Sequence, residues 1–152
     1  MELIIKETGR MKKETCKQEP VFKMKDSVLI SCELNGCTAV TIPADVKIIG
    51  KMCFANTDVE EVILPEGIKC IESKAFADCF NLKKINFPEG LETIKDRAFM
   101  NCGSLVEIIL PTTLTKIGDY AFHNAGIKQL TLPDPKNVVC RQLLLQDILR
   151  VC

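Results

Sequence analysis

The chain has 152 residues, with 20 Lys+Arg against 20 Asp+Glu and a formal net charge of zero. A chain of that length holds one domain and has no room for a second sizeable core. The charge balance excludes a general electrostatic attraction to nucleic acid or an anionic membrane, so neither a nucleic-acid partner nor membrane insertion is expected.

Residues 1–25 read as an arm or an extra strand outside the main pattern. Leu3-Ile4-Ile5 is far shorter than the apolar core of a secretory signal and runs straight into Lys6. No apolar stretch approaches the length of a membrane span. These features predict a cytoplasmic protein, with the alternative that Met1 opens a fragment of something longer. Seven basic residues, Lys6, Arg10, Lys12, Lys13, Lys17, Lys23 and Lys25, are interleaved with Glu7, Glu14 and Glu19. Without a recognition motif beside them, they describe a solvated, partly disordered arm.

From residue 26 to 136 one unit repeats. Pro43, Pro65, Pro88, Pro111 and Pro133 recur at spacings of 22, 23, 23 and 22 residues. The frame is clearest in Leu82-x-x-Ile85-x-Phe87-Pro88-x-x-Leu91-x-x-Ile94-x-x-x-Ala98-Phe99-x-x-Cys102. Its successor is Leu105-x-x-Ile108-x-Leu110-Pro111-x-x-Leu114-x-x-Ile117-x-x-x-Ala121-Phe122-x-x-Ala125. The unit before them supplies Val59, Val62, Leu64, Pro65, Ile68, Ile71, Ala75, Phe76 and Cys79. A degenerate first copy runs from Val40 to Phe54, and a partial last copy holds Ile127, Leu130, Leu132 and Pro133.

Within a unit the period changes. Ile85 and Phe87 alternate with Lys84 and Asn86, the pattern of a half-buried strand. Pro88 cannot donate to a ladder and ends it. Leu91-x-x-Ile94 reads as a corner, and Ala98-Phe99 as a short helical turn. Ser73, Asp96 and Asp119 precede that turn, where a side-chain oxygen can accept from free helix N–H groups. Asn56, Asp78, Asn101 and Asn124 follow the Phe, where Asn and Asp tolerate turn geometry. One unit cannot bury its own apolar face, but stacked units can, with each strand pairing the next and each Phe packed between neighbours. Five such strands, spaced by about 4.8 Å, give a stack roughly 20 Å long.

After Pro133 and Pro135 the frame stops. Residues 137–152 read as a helix with Leu144, Leu145, Ile148, Leu149 and Cys152 on one side and Arg141, Gln142, Gln146, Asp147 and Arg150 on the other. Its expected job is to cover the last coil, because exposed solenoid ends pair edge to edge. The alternative is a helix that makes a homodimer.

The pattern Pro-x-x-Leu-x-x-Ile-x-x-x-Ala-Phe-x-x-Cys-x-x-Leu-x-x-Ile resembles the BspA-type (Treponema pallidum-type) leucine-rich repeat of bacterial surface antigens, over roughly residues 26–133. Asp26-Ser27-Val28-Leu29 resembles the hairpin-like N-terminal cap of that family. The resemblance implies a right-handed curved solenoid used for protein binding. Many members are secreted or surface-attached and bind host or matrix proteins. The expected fold is therefore a short right-handed leucine-rich-repeat coil with a parallel β-sheet face, short helical or 3-10 turns, an N-terminal β cap and a C-terminal helical cap.

Chemistry is sparse. The nine cysteines are odd in number and no secretory signal is visible, so reduced thiols are expected. Cys79 and Cys102 share one repeat position and read as small buried hydrophobes. Cys70, on the face away from Ile71, reads as an exposed thiol prone to oxidation. There is no Cys-x-x-Cys pair and Cys32-x4-Cys37 is an isolated couple, so no metal site is expected. His123, the single histidine, aligns with Ala55, Ala77 and Met100 in a variable slot and lacks the partners of a triad. With no Gly-rich phosphate loop and no helical His-Glu-x-x-His, neither an enzyme nor a cofactor is expected.

What remains is the outward surface of the strands. Thr41, Ile63, Asn86, Ile109 and Thr131 form one column, and Ala39, Glu61, Lys84, Glu107 and Gln129 a second. Ile63 and Ile109 are apolar where the frame does not ask for it, which marks a contact site or merely suits a strand. Glu61, Lys84 and Glu107 alternate in sign, which favours correct pairing of neighbouring coils. The reading is a non-enzymatic protein–protein interaction module, with Thr41, Ile63, Asn86, Ile109, Thr131, Glu61, Lys84 and Glu107 as candidate contacts for a protein partner. The alternative is a fragment of a bacterial cell-surface adhesin.

Overall fold

The computed structural model describes residues 3–5, 16, 18–131 and 139–140. Its strands in chain order are β1 (Leu3–Ile5), β2 (Val21–Lys25), β3 (Val28–Glu33), β4 (Ala39–Thr41), β5 (Ile48–Ile49), β6 (Glu61–Ile63) and β7 (Cys70–Ile71). They continue as β8 (Lys84–Ile85), β9 (Thr93–Ile94), β10 (Glu107–Ile109), β11 (Lys116–Ile117), β12 (Gln129–Thr131) and β13 (Val139–Cys140).

An antiparallel hairpin opens the fold. β2 and β3 bury Phe22, Met24, Leu29 and Cys32. Asp26 and Ser27 join them at φ 48° and 63°, the two left-handed residues of a type I′ turn, whose twist matches that of paired strands. β1 adds antiparallel to β2, and β3 passes to parallel stacking by pairing with β5. The N-terminal β cap is present, and it draws in β2 from the segment read as an arm.

Each later coil carries two strands in separate sheets, with the core between them. One side stacks β4-β6-β8 and, separately, β10-β12; the other runs β1-β2-β3-β5-β7-β9-β11-β13. That second sheet stands where the sequence showed only a corner, because two-residue strands are too short to display an alternation. Columns of equivalent residues fill the interior. Phe54, Phe76, Phe99 and Phe122 stack nearly parallel, with centroids 5.0, 5.1 and 5.2 Å apart. The spacing follows from the rise between paired strands. Ile49, Ile71, Ile94 and Ile117 form another fully buried column, and no described polar or charged residue is buried.

The expected helical turns are not formed; among the described residues there is no helix. In an α-helix each N–H bonds the carbonyl four residues back. Here alternate N–H groups close tighter turns, Ala98 to Lys95 and Met100 to Arg97. Those between cross to the following coil: Arg97 to Asp119, Phe99 to Ala121 and Asn101 to His123. Arg97 and Asn101 sit at φ 57° and 62°, left-handed geometry that interrupts any helix of L-residues. Asp96 accordingly caps no helix. Its Oδ1 accepts the N–H of Asp119 in the next coil at 2.9 Å. Gly118 makes the room, since a Cβ there would collide with that carboxylate and with the Asp96 backbone.

The turn positions behave as expected. Asn56, Asp78, Asn101 and Asn124 hold φ 59°, 61°, 62° and 55°. Their side chains also link coils: Asn124 Nδ2 donates to Asn101 Oδ1 at 3.0 Å, and Asn101 Nδ2 to Asp78 Oδ1 at 2.7 Å.

At the far end β13 pairs parallel with β11, placing Val139 against Lys116 and Cys140 against Ile117. The sheet thus extends past Pro133, and Val139–Cys140, read as part of a helix, form a strand instead. The rest of that expected helix, 141–152, with its capping and dimer roles, lies outside the described residues. So do Leu132, Pro133 and most of the basic arm.

Candidate binding face

Stacking of β4, β6, β8, β10 and β12 brings both outward columns onto one side. Register pairs Thr41 with Ile63, Ile109 with Thr131, Glu61 with Lys84 and Glu107 with Gln129. Thr41, Lys84, Asn86, Glu107 and Thr131 are exposed; Glu61 and Ile63 are half-buried. Ile109 leaves 60% of its surface in solvent and nearby Val106 leaves 41%. Val106 is absent from the sequence-based set. The available signal was its slot, occupied by Glu60 and Lys83 in the preceding coils.

Asn86 is engaged rather than open. Its Oδ1 accepts the Leu64 N–H at 2.7 Å and its Nδ2 donates to the Leu64 carbonyl at 2.9 Å. Elsewhere that bond is backbone to backbone, from Ile42 N–H to Ile63 O and from Leu110 N–H to Thr131 O. The side chain stands in for a main chain that has left the ladder, and β8 ends at Ile85.

The face is split. β8 and β10 do not pair. The Thr38 carbonyl accepts from the Glu60 and Glu61 N–H groups, Glu60 from Lys83 and Lys84, and Val106 from Lys128 and Gln129. Among the described residues no matching bond runs from Val106 or Glu107 to the Lys83 carbonyl. The opposite sheet continues unbroken through β7, β9 and β11, so the coils stay stacked while this side opens.

Phe87 supplies the physical reason. It fills the slot of Ile42, Leu64 and Leu110, and its ring meets Phe99 edge-on at 5.5 Å. A larger side chain in a packed slot displaces its backbone. An open groove of about 1130 Å³ lies along this face from Glu61 to Gln129, lined by residues including Ile63, Ile85, Phe87, Val106 and Ile109.

The alternating column is broken at the same place, since Lys84 faces Glu61 but has no register partner in β10. Coils are bridged instead by Lys83–Glu60 at 2.7 Å, Lys69–Glu92 at 3.1 Å and Lys95–Glu72 at 2.6 Å.

The cysteines depart from expectation. Cys16 and Cys37 form a disulfide, Cα atoms 4.8 Å apart, which ties the arm to the segment after the hairpin. Sequence could not show it, because Cys16 lies outside any periodic frame. Cys32 is a buried free thiol, pushed up to about 12 by desolvation and then by Glu33. Cys79 and Cys102 are more than small hydrophobes. Their thiols donate to the carbonyls of Phe54 at 2.9 Å and Phe76 at 3.1 Å, reaching back one coil. Cys70 is half-buried, and burial followed by the Glu72 charge raises its pKa, making it a weaker nucleophile than an open thiol. His123 is exposed and meets Tyr120 edge-on at 5.5 Å. Among the described residues no group of three or more His, Cys, Asp and Glu could hold a metal, and no helix is long and apolar enough to cross a membrane.

A family model described as a BspA-type leucine-rich-repeat region matches residues 24–144 in six copies. The chain belongs to the BspA-type leucine-rich-repeat family. The match runs past Pro133, as β13 does. No curated protein matches this leucine-rich-repeat chain. Among solved structures it is similar to a leucine-rich repeat protein from Bacteroides ovatus, at 28% identity and TM-score 0.64, covering 88% of this chain and 34% of that one. It is also similar to one from Bacteroides capillosus, at 26% identity and TM-score 0.66, covering 74% of this chain and 92% of the other. A leucine-rich cell surface protein from Faecalibacterium prausnitzii shares the fold at 22% identity and TM-score 0.54, over 88% of this chain and 41% of its own. The chain thus spans about a third of the length of the Bacteroides ovatus protein.

Proposed function

We propose that this leucine-rich-repeat chain is a non-enzymatic binding module whose β4-to-β12 face receives another protein. The observation behind this reading is the exposure of Ile109 and Val106 beside a groove on a face backed by stacked coils. Contiguous exposed apolar surface marks contact sites, and a few well-packed residues near the centre of an interface carry most of its energy. Ile63 lies on the β6 side of the same groove. Thr41, Thr131, Glu61, Lys84 and Glu107 form a polar rim, while Asn86 braces the strand end. A pull-down from native lysate with wild type and an Ile63→Glu/Ile109→Glu double variant tests it. The variant should keep its far-UV spectrum and lose at least one partner that wild type retains. Equal recovery of every partner by both removes this face.

A second reading places the chain at the cell surface, meeting an extracellular protein. The Cys16–Cys37 disulfide supports it, since such bonds persist in oxidising compartments. Acid quenching of source cells, maleimide trapping and a non-reducing gel test it. A fully reduced Cys16–Cys37 pair in the cell withdraws that support.

A further inference from the structure

We infer that the split between β8 and β10 is a slot for an extended peptide segment, which lies parallel to both strands and pairs its backbone with each. The inference rests on reading this face as the binding surface, and specifies what the partner offers there.

The unused hydrogen-bonding groups identify the occupant. On the β8 lip the Lys83 carbonyl and the Phe87 N–H lack the coil-to-coil bonds made by their equivalents, the Glu60 carbonyl and the Ile42 and Leu110 N–H groups. On the β10 lip the Val106 and Glu107 N–H groups and the Ile109 carbonyl lack the bonds made by Lys83, Lys84 and the Ile63 carbonyl. Two strand edges therefore face each other in one direction, with donors and acceptors on both. The interior of a helix has its backbone groups already paired. An extended chain projects alternate N–H and C=O groups to its two sides, and joining an open edge is an established way to bind a peptide. Because the opposite sheet stays closed through β9 and β11, the slot is a wedge open to solvent, and the peptide enters from the face.

Charge narrows the sequence. Lys83 is already bridged to Glu60. A strand laid in the slot puts one outward residue between Lys84 on one lip and Glu107 on the other. Cation and anion together select an uncharged polar residue at that place. The following residue faces Ile85 and Ile108, whose own side chains are buried in the core, and the next outward one lies between Asn86 and exposed Ile109. The occupant is an extended segment with the order polar, apolar, apolar, complementing cross-strand neighbours on each side.

The test pans a phage-displayed library of random heptapeptides on the full chain. Enriched peptides are then synthesised and mapped by amide hydrogen exchange. They should carry the polar-apolar-apolar order and slow exchange at Val106, Glu107 and Phe87 by about tenfold or more. N-methylation of the central peptide residue should weaken binding about tenfold, the value of one or two backbone hydrogen bonds. Phe87→Leu, which restores the smaller side chain of the other coils, should pair β8 with β10 and exclude the peptide while leaving Ile63 and Ile109 outward. Failure to enrich any peptide, or peptides that bind without slowing those three amides, overturns the slot. Should Phe87→Leu not fold, unchanged affinity of the N-methylated peptide overturns it equally. Failure of the slot leaves the sheet-face reading to its own test, the Ile63→Glu/Ile109→Glu pull-down.

Discussion

Replacing Phe99 by Ala removes a ring that meets three others. Phe76 stacks on it at 5.1 Å, Phe122 at 5.2 Å, and Phe87 meets it edge-on at 5.5 Å. Phe54 is equally buried, yet among the described residues its one ring neighbour is Phe76, at 5.0 Å. Truncating a buried Phe costs about 3–5 kcal/mol through lost transfer energy and the cavity left behind. Each aromatic pair adds about 0.5–1.5 kcal/mol beyond area burial. Phe99→Ala forfeits two more pairs than Phe54→Ala, so it should cost about 1–3 kcal/mol more. The cavity at Phe99 is walled above and below by rings that coil-to-coil bonds hold apart, which limits collapse. Against a typical domain stability of about 5–15 kcal/mol the loss is severe. Urea unfolding of both variants by circular dichroism measures the difference, with an unchanged slope m showing that the whole stack still unfolds together. Equal costs for the two variants, or a cost below about 1.5 kcal/mol for Phe99→Ala, would refute the column.

Reducing the Cys16–Cys37 bond, which spans 21 residues of sequence, should lower stability by about 3 kcal/mol; a thermal midpoint unaffected by dithiothreitol contradicts this. Asn101→Ala loses both rungs of the side-chain ladder and leaves a Cβ at φ 62° without them, at a cost of about 2 kcal/mol. Asn101→Gly, free of the strain, should recover about half of that, and equal chemical-denaturation midpoints for the two would oppose it. Cys70 titrates above its ordinary value, so less of it is thiolate at about pH 8 than in a free thiol. Iodoacetamide should therefore label Cys70 more slowly than glutathione, with the rate still climbing above about pH 9. Labelling as fast as glutathione near neutral pH rules that out.

The repeat frame was legible without coordinates because its period is set by one turn of the coil. Residues 22 or 23 positions apart must stack, so the Phe and Ile columns, the outward Ile109 and the left-handed Asn101 and Asn124 could all be named in advance. The family resemblance rested on those same residues. Where a backbone N–H goes is another matter. The segment around Ala98-Phe99 carries helix-like spacing, yet its alternate N–H groups bond the neighbouring coil, and a single unit holds no record of that choice. β9 and its equivalents escaped notice for a related reason, since two residues make a strand only when a stacked neighbour supplies the other edge.

Other features depended on tertiary packing alone. Phe87 satisfies the apolar frame as well as Leu64 or Leu110 does. Only in the packed coil does the larger ring in that slot meet Phe99 and displace β8 from the ladder, with the Asn86 side chain bonding Leu64 in its place. The Cys16–Cys37 bond likewise requires Cys16 to lie against the segment that follows the hairpin. The sequence by itself determined the coil, its core and its outward columns, because a periodic pattern encodes contacts between equivalent positions. The structure decided where the sheet breaks, because that outcome turns on the volume of one side chain in a space shaped by three coils.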